Sequence, residues 1–236
     1  MLQRLRESGQ TALKQCLAAC LPHNCLLCGC DSDDSLLCPD CKSDLPRLPP
    51  GCPHCAEPTE GSMACGRCLA HPPHFDATFA PFAYAYPVDR LVHAYKYGGE
   101  LALAAWFAAL LAESIGPARF DCILPLPLHP LRLRERGFNQ AAELARQLGK
   151  KLQLRVDLDS CRRHRATPPQ AALPHKARAA NVRGAFECRR RFDGAHLLLV
   201  DDVLTTGATV NECARTLKSH GAASVTIAVV ARALRV

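Results

Sequence analysis

Residues 197–209 of the chain read LLLVDDVLTTGAT and combine an apolar run, two acidic residues and a polar loop. Four consecutive apolar residues, 197–200, are typical of a strand that is buried on both faces of a parallel sheet. Asp201 and Asp202 follow, and a loop of threonines around one glycine leads into a segment with the apolar spacing of a helix. Residues 224–230 predict the next strand. Ligands of open α/β sheets bind at the carboxyl ends of strands, so this segment predicts a ligand site.

The loop after the two aspartates has the residue types that bind a phosphate. Backbone amides of residues 205–209 and the helix N-terminus can surround an anion, the threonine hydroxyls add donors, and Gly207 lets the main chain approach closely. The aspartates suit the two vicinal hydroxyls of a ribose, and their charge favours a nearby Mg²⁺. A capping box between Thr209 and Glu212 is the alternative, but it explains neither the paired aspartates nor the two preceding threonines.

Alternating strand and helix patterns surround this segment. In chain order we predict a partly alternating extended stretch over 79–86, helices at 87–97 and 100–114, a strand at 121–126, a helix at 139–148 and a strand at 152–158. A strand, a helix and a further strand in this order imply a parallel sheet, so the predicted fold class is α/β.

The front of the chain is rich in cysteine. Eleven of the fifteen cysteines fall between Cys16 and Cys68. Four Cys-x-x-Cys pairs are present, with nine residues between the first and second pairs and nine between the third and fourth. Two such turns present four thiolates at the corners of a tetrahedron, as a closed structural zinc site requires. The predicted metal ligands are Cys25, Cys28, Cys38, Cys41, Cys52, Cys55, Cys65 and Cys68.

Spacing leaves the pairing of these turns open. Sequential pairing gives two zinc ribbons, and crossed pairing gives one interleaved module. Gly29 and Gly66 are predicted to supply a positive φ to their turns. Buried free thiols and a thioredoxin-like redox motif are weaker explanations, because four equal spacings are rare by chance and the strand–helix context of the redox motif is absent. Cys16, Cys20 and Cys30 are interpreted as ordinary packing residues.

Length and composition frame the domain organisation. A chain of 236 residues exceeds the usual single compact domain, and we predict an N-terminal helix with a cysteine-rich module over 1–75 and an α/β domain over 76–236. The longest apolar run, 101–112, is too short to span a membrane. The first 22 residues lack a secretory signal, so a cytoplasmic location without membrane insertion is expected.

These motifs together resemble the ComF (GntX-like) family of competence-protein-F-type phosphoribosyltransferase homologues. The strand–Asp201-Asp202–loop segment resembles the binding motif for 5-phosphoribosyl 1-pyrophosphate (PRPP) of type I phosphoribosyltransferases. Further points of resemblance are the Cys-x-x-Cys pairs, Phe75-Asp76, Lys96-Tyr97-Gly98, residues 134–140, Gln170 and Asn181. The resemblance implies a type I phosphoribosyltransferase-like parallel sheet behind an N-terminal double zinc ribbon, with two structural zinc ions per chain and magnesium bound with PRPP.

The resemblance also assigns roles to single residues. It implies that residues 126–132 meet the pyrophosphate, with His129 and Arg132 as polar members, and that 161–181 form a loop, including Arg165, that closes over the reaction centre. The implied catalytic residues are Asp201, Asp202, Arg132 and Arg165. The implied PRPP-binding residues are Asp201, Asp202, Val203, Leu204, Thr205, Thr206, Gly207, Ala208, Thr209 and His129. No segment matches a known base-binding hood, so the acceptor is not predicted.

One segment holds the whole basic excess of the chain. Residues 161–192 carry nine Lys/Arg and one Glu, which leaves 20 basic and 21 acidic residues elsewhere. This stretch could bind pyrophosphate or a DNA backbone, or could be a solvated loop, and Arg189, Arg190 and Arg191 are the expected backbone contacts. The four tyrosines lie within 84–97 and could stack bases, although a half-buried seam is the favoured interpretation.

The resulting hypothesis is a PRPP-binding, phosphoribosyltransferase-like protein that acts in DNA uptake, natural transformation or DNA utilisation. The alternative is a non-catalytic sensor of PRPP or a nucleotide that binds single-stranded DNA and a competence or helicase protein. A purely structural zinc adaptor leaves the paired aspartates without a purpose. Turnover with PRPP distinguishes the first two hypotheses.

Overall fold

The computed structural model of the protein describes residues 24–32, 35–165 and 181–234. The chain divides into two compact units, Met1–Leu45 and Pro46–Val236. The third and fourth Cys-x-x-Cys pairs therefore belong to the same unit as the α/β part. This division does not coincide with the domain boundary predicted near residue 75, because the second cysteine group packs on the sheet that follows it.

The first unit, in its described residues, holds two cysteine turns and one short helix, α1 (Pro39–Ser43). Cys38 occupies the N-cap of α1, where its sulfur accepts a hydrogen bond from the amide of Cys41. Proline follows at the first helical position, where its missing N–H is not needed. The helix start thus brings two sulfur atoms onto one side of the turn.

The second unit is built on a parallel sheet. Its strands, and those of a separate hairpin, are β1 (Ala77–Phe79), β2 (Phe82–Ala83), β3 (Cys122–Pro125), β4 (Cys161–Arg163), β5 (Phe186–Cys188), β6 (His196–Leu204) and β7 (Ser224–Arg232). The sheet order is β1-β7-β6-β3, β2 also pairs with β7, and every one of these pairs is parallel. β4 and β5 form an antiparallel pair apart from this sheet. The α/β prediction is confirmed.

Helices cover both faces of this sheet. They are α2 (Gly66–Ala70), α3 (Val88–Tyr97), α4 (Ala102–Ile115), α5 (Pro130–Arg136), α6 (Gln140–Leu152) and α7 (Ala208–Ser219). α4 and α6 pack against each other, and α6 also packs on β3 and β6. On β6, Leu197 and Leu199 join α7 in one apolar cluster, while Leu198 and Val200 are equally buried on the opposite face. Both faces are therefore covered, as parallel sheets require.

Two segments differ from the sequence prediction. The predicted strand at 152–158 is reduced to a single parallel bridge between Val156 and Ile123, because α6 includes Leu152 and Gln153 follows it as a C-cap in the left-handed conformation. Residues 130–132, predicted as the end of the loop over 126–132, lie instead in the first turn of α5, which begins with a proline. Among the described residues, no helix has the length and apolar character needed to cross a membrane.

Candidate active site

The two aspartates lie near the end of β6, at the carboxyl edge of the sheet. Asp202 is buried, and its Oδ1 lies 2.8 Å from Nζ of Lys96, near the end of α3. Its other oxygen, Oδ2, is buried without a hydrogen-bond partner in the part of the chain that the structure describes. Buried carboxylate oxygens are almost always satisfied in proteins, so an orphaned one indicates a ligand or an ion at this position.

Asp201 sits in an environment that favours its neutral form. Burial, and next the charge of Asp202, raise the pKa of Asp201 to about 7, although Lys96 and Arg136 act in the opposite direction. Burial acts to lower the pKa of Lys96, but the attraction of Asp202 outweighs it and the pKa is raised. Near neutral pH Asp201 is therefore only partly ionised, and a cation or a hydroxyl ligand would favour its ionised form.

The segment after these aspartates, residues 205–209, is called the phosphate loop below. Gly207 is the N-cap of α7 with φ of 80°, a backbone conformation that favours glycine. The hydroxyl of Thr206 accepts a hydrogen bond from the amide of Ala208, the first residue of α7, at 3.3 Å. Among the described residues, none accepts a hydrogen bond from the amides of Thr205, Thr206 or Gly207. Three unpaired amides beside the positive end of a twelve-residue helix form an anion cradle. Thr209 lies inside α7, so it is not the N-cap that a capping box with Glu212 needs.

The residues predicted to meet pyrophosphate lie at the start of α5. His129 is the N-cap, and its Nδ1 accepts a hydrogen bond from the amide of Leu131 at 3.3 Å. Arg132 is largely exposed and forms an ion pair with Glu135 at 2.7 Å. The side-chain amide of Asn139 donates to the carbonyl of Leu126 at 3.2 Å and fixes the end of the preceding segment. To bind pyrophosphate, Arg132 would have to break its ion pair with Glu135.

The predicted closing loop falls mostly outside the described residues, which leave out 166–180. At its two ends, Nη2 of Arg165 donates to the carbonyl of Asn181 at 2.8 Å. Gln170, part of the resemblance, also lies outside the described residues. The predicted contact of Arg165 with pyrophosphate stays a prediction.

Three basic residues near the aspartates were not among the predicted site residues. Lys96 pairs with Asp202, while Arg136 lowers the pKa of Asp201 by its charge. Arg163, at the end of β4, is the third: burial lowers its pKa, and the field of Asp201 acts in the opposite direction. Lys96 belongs to the Lys96-Tyr97-Gly98 motif, and this motif could have identified it as a site residue from the sequence. Nothing local distinguishes Arg163 from its neighbours.

The eight predicted metal ligands form two separate groups of four cysteines. The first four-cysteine group is Cys25, Cys28, Cys38 and Cys41, and the second is Cys52, Cys55, Cys65 and Cys68. The sulfur–sulfur distances are 3.7 Å for Cys28–Cys38 and 3.6 Å for Cys55–Cys65. A tetrahedral zinc site with Zn–S bonds of about 2.3 Å has sulfur atoms about 3.8 Å apart, so both groups fit zinc. The pairing is sequential.

Within the first four-cysteine group the pKa of Cys25 is lowered, whereas burial and the neighbouring thiols raise the pKa of Cys41. Burial alone would raise the pKa of Cys25, but amides including those of Cys28 and Cys38 lower it to about 6. The turns themselves differ from expectation at one position. Gly29 has the predicted positive φ, whereas Gly66 begins α2, and a positive φ occurs instead at Ala56 in the third turn.

The basic segment is partly neutralised in the structure. Arg190 pairs with Asp157 at 2.7 Å, and Arg191 pairs with Asp193 at 2.8 Å. Arg189 is exposed, and no described residue forms an ion pair with it. Arg189 also lines a cleft of about 660 Å³ bounded by α5, the start of α6 and the β4–β5 hairpin. The predicted contact of Arg189, Arg190 and Arg191 with a DNA backbone stays a prediction, and Arg189 is the one of the three without an ion-pair partner among the described residues.

The tyrosines do not form one buried seam. Tyr95 is fully buried and donates its hydroxyl hydrogen to the carbonyl of Gln140, but Tyr86 is 74% and Tyr97 65% exposed. The guanidinium of Arg136 lies 5.1 Å from the ring centre of Tyr97, directly after Lys96 in the chain. The favoured interpretation holds for Tyr95 and is wrong for Tyr86 and Tyr97.

Comparison with known proteins agrees with these features. The phosphoribosyl transferase domain family matches residues 133–235, and the double zinc ribbon domain family matches 16–69. A DNA utilization protein YhgH from Escherichia coli is 36% identical over 78% of this chain and 84% of its own length. Competence protein F from Haemophilus influenzae is 29% identical over 84% of this chain and 90% of its own length.

Among solved structures, an adenine phosphoribosyltransferase from Thermoanaerobacter pseudethanolicus has a TM-score of 0.36 and 15% identity, over 58% of this chain and 83% of that chain. Three findings support one assignment: the parallel sheet with its phosphate loop, the two four-cysteine groups, and the extent of the match to YhgH and competence protein F. The chain belongs to the ComF family of proteins with a double zinc ribbon and a type I phosphoribosyltransferase-like domain.

Proposed function

We propose that the chain binds PRPP together with Mg²⁺ at the carboxyl edge of the sheet, and that it serves DNA utilisation or natural transformation. The observation that carries the proposal is the orphaned Oδ2 of buried Asp202, next to Asp201 and directly ahead of three unpaired loop amides. A carboxylate pair and an anion cradle on one strand-to-helix connection match a sugar that carries a phosphate.

Each part of PRPP has a complementary group in this arrangement. The carboxylates accept hydrogen bonds from the two ribose hydroxyls, and the amides of the phosphate loop donate to the 5-phosphate. His129, Arg132 and Arg165 are the proposed contacts of the pyrophosphate. Carboxylate oxygens are hard ligands that suit Mg²⁺, which neutralises the pyrophosphate when it is bound.

If turnover occurs, the reaction is displacement at the anomeric carbon. The acceptor atom forms a bond to this carbon while the carbon–oxygen bond to pyrophosphate breaks, and pyrophosphate leaves with the bonding electrons. The carboxylates of Asp201 and Asp202 stabilise the positive charge that develops on the ribose ring. Lys96 holds Asp202 in place for this task.

Calorimetric titration with PRPP and Mg²⁺ tests the binding. We expect the double variant Asp201→Asn/Asp202→Asn to lose about a hundredfold or more in affinity, because both changes remove a charge-assisted contact and hardly alter volume. Glu113→Gln, which removes an exposed carboxylate on α4, is the matched control. Unchanged affinity in the double variant would refute the proposal.

Release of pyrophosphate with a panel of bases and single-stranded oligonucleotides separates an enzyme from a binding protein.

Binding of single-stranded DNA is the second candidate function, and two surfaces favour it. Tyr97 presents an exposed ring with a cation over it, next to the proposed ribose site, and aromatic rings stack unpaired bases. Arg189 offers a positive charge without an ion-pair partner among the described residues. We expect Arg189→Gln to flatten the slope of log affinity against log salt by about 0.7, the value for one phosphate contact on a single strand. Arg191→Gln, whose arginine already has a carboxylate partner, is the matched control, and equal slopes in both variants would contradict this role.

A further inference from the structure

The second four-cysteine group is hydrogen-bonded to the phosphate loop through Arg232. This arginine, the last residue of β7, is only 1% exposed. Its Nη1 donates to the carbonyls of Leu204 and Thr205 at 3.1 and 2.6 Å, and its Nε donates to the carbonyl of Cys55 at 3.0 Å. Its Nη2 pairs with the carboxylate of Glu57 at 2.6 Å. One buried guanidinium therefore joins the third cysteine turn to the start of the loop.

A second arginine makes a parallel connection from the fourth cysteine turn. Arg67 lies between two ligands of the group, Cys65 and Cys68, and its Nη1 donates to the carbonyl of Thr206 at 2.9 Å. Arg67 and Thr206 are 139 positions apart in the sequence. Both arginines thus bind backbone carbonyls of the loop, and neither bond depends on the side chains of the threonines.

The three carbonyls held in this way belong to particular peptide units. In a trans peptide the C=O and the following N–H point in opposite directions. The carbonyls of Leu204, Thr205 and Thr206 share their peptide units with the amides of Thr205, Thr206 and Gly207. These are the three amides that have no acceptor in the described chain. Holding the carbonyls on one side fixes the three N–H groups on the other, toward the proposed phosphate.

Apolar packing couples the same two parts. Cys52, Cys55 and Cys68 are buried in one cluster with Phe75 and Leu204. The ring of Phe75 reaches within 3.9 Å of the place where a Cβ on Gly207 would stand. Loss of the metal would leave the thiols in this cluster without a common ligand and would release the turns that carry Arg67 and the carbonyl of Cys55.

We propose that Arg67 and Arg232 are positioning residues through which the second four-cysteine group orients the amides of the phosphate loop. Zinc in this group then sets the affinity for the 5-phosphate, whereas zinc in the first group, which belongs to the other compact unit, does not. The inference rests on the proposed function, because it takes the loop to bind the 5-phosphate of PRPP. It makes the two zinc sites of the chain unequal in function.

The test compares ligands that share or lack the 5-phosphate. We expect Arg67→Met to keep two zinc ions per chain and to bind ribose 5-phosphate and PRPP about tenfold more weakly, the factor for one misdirected hydrogen bond to a charged group. Affinity for pyrophosphate alone should stay unchanged. Arg119→Met, at an exposed position outside the site, is the matched control. Wild-type affinity of Arg67→Met for ribose 5-phosphate would overturn the inference.

A ligand-free measurement keeps the inference testable if the protein does not bind PRPP. The amides of Asn211 and Ala233 donate to the carbonyls of Gly207 and Leu204, both at 2.9 Å, so their hydrogen exchange reports order in the loop. We expect Cys65→Ser to lose one zinc ion, and we expect hydrogen exchange of these two amides to become about fivefold faster or more. The amide of Asp157, which donates to the carbonyl of Ile123, should exchange at an unchanged rate and serves as the reference. Cys28→Ser should lose one zinc ion without this change. Equal exchange at the loop in the two cysteine variants would overturn the inference, whereas absence of PRPP binding by the wild type would refute only the proposed function.

Discussion

Replacing Asp201 by asparagine should make the protein more stable at alkaline pH. Burial and the neighbouring Asp202 raise the pKa of Asp201 from 3.8 to about 7 in the folded chain. Between these two values the folded state holds a proton that the unfolded chain releases. Stability must therefore fall as the pH rises through this window, because the folded state binds more protons than the unfolded state.

The size of this effect follows from the difference between the two pKa values. A gap of about three pKa units corresponds to about 4 kcal/mol, which is an upper bound because the site relaxes and admits water when the carboxyl ionises. Below about pH 4 wild type and Asp201→Asn should have similar unfolding free energies. Above about pH 7 the variant should be more stable by up to about 4 kcal/mol, or about 8–16 °C in Tm for a chain of this size.

Urea unfolding of wild type and variant across the range from about pH 4.5 to about pH 8.5 measures this difference directly. Other titrating groups are common to both proteins and cancel in the comparison. Glu113→Gln, which removes an exposed carboxylate, controls for the change in net charge and should run parallel to the wild type. Parallel curves for Asp201→Asn and wild type, or a variant that is less stable at alkaline pH, would refute the raised pKa and with it the assignment of a mutually repelling acidic pair.

Three further predictions concern the same site and the metal groups. Binding of PRPP with Mg²⁺ just below neutral pH should release protons, because the ligand favours ionised Asp201. Calorimetry in buffers of different ionisation enthalpy measures the number of protons released, and a heat of binding that does not depend on the buffer would contradict the prediction. Lys96→Met should lower the unfolding free energy by about 2 kcal/mol, less than the loss of about 3–5 kcal/mol for a fully buried pair, because the lysine side chain is 21% exposed. Adding Asp202→Asn should restore most of this free energy, and no restoration in urea unfolding would argue against the ion pair. Metal analysis of protein purified without chelator should find two zinc ions per chain, and a content below one would rule out the structural role of both four-cysteine groups.

Local sequence patterns predicted much of the fold. The strand, loop and helix at 196–219 were predictable because apolar runs, helical spacing and a glycine with positive φ act over a few residues. The Cys-x-x-Cys turns were predictable for the same reason, although spacing could not choose between sequential and crossed pairing. Short patterns failed where tertiary contacts decide. The predicted strand at 152–158 keeps one bridge, from Val156 to Ile123, and α5 was missed because residues 130–136 lack a clear apolar stripe.

The sequence by itself determined the chemical inventory: a carboxylate pair, an anion-binding loop and eight metal ligands at fixed spacings. Only the tertiary structure decided which distant residues serve them. Lys96 reaches Asp202 from α3, and Arg67 reaches Thr206 from α2 across 139 positions. For Arg67 the physical reason is the apolar cluster that buries the second four-cysteine group together with Leu204 at the end of β6. Hydrogen bonds between such remote positions depend on how whole helices and strands pack, so local sequence patterns do not predict them. The structure therefore shows that the second four-cysteine group and the phosphate loop are parts of one bonded assembly.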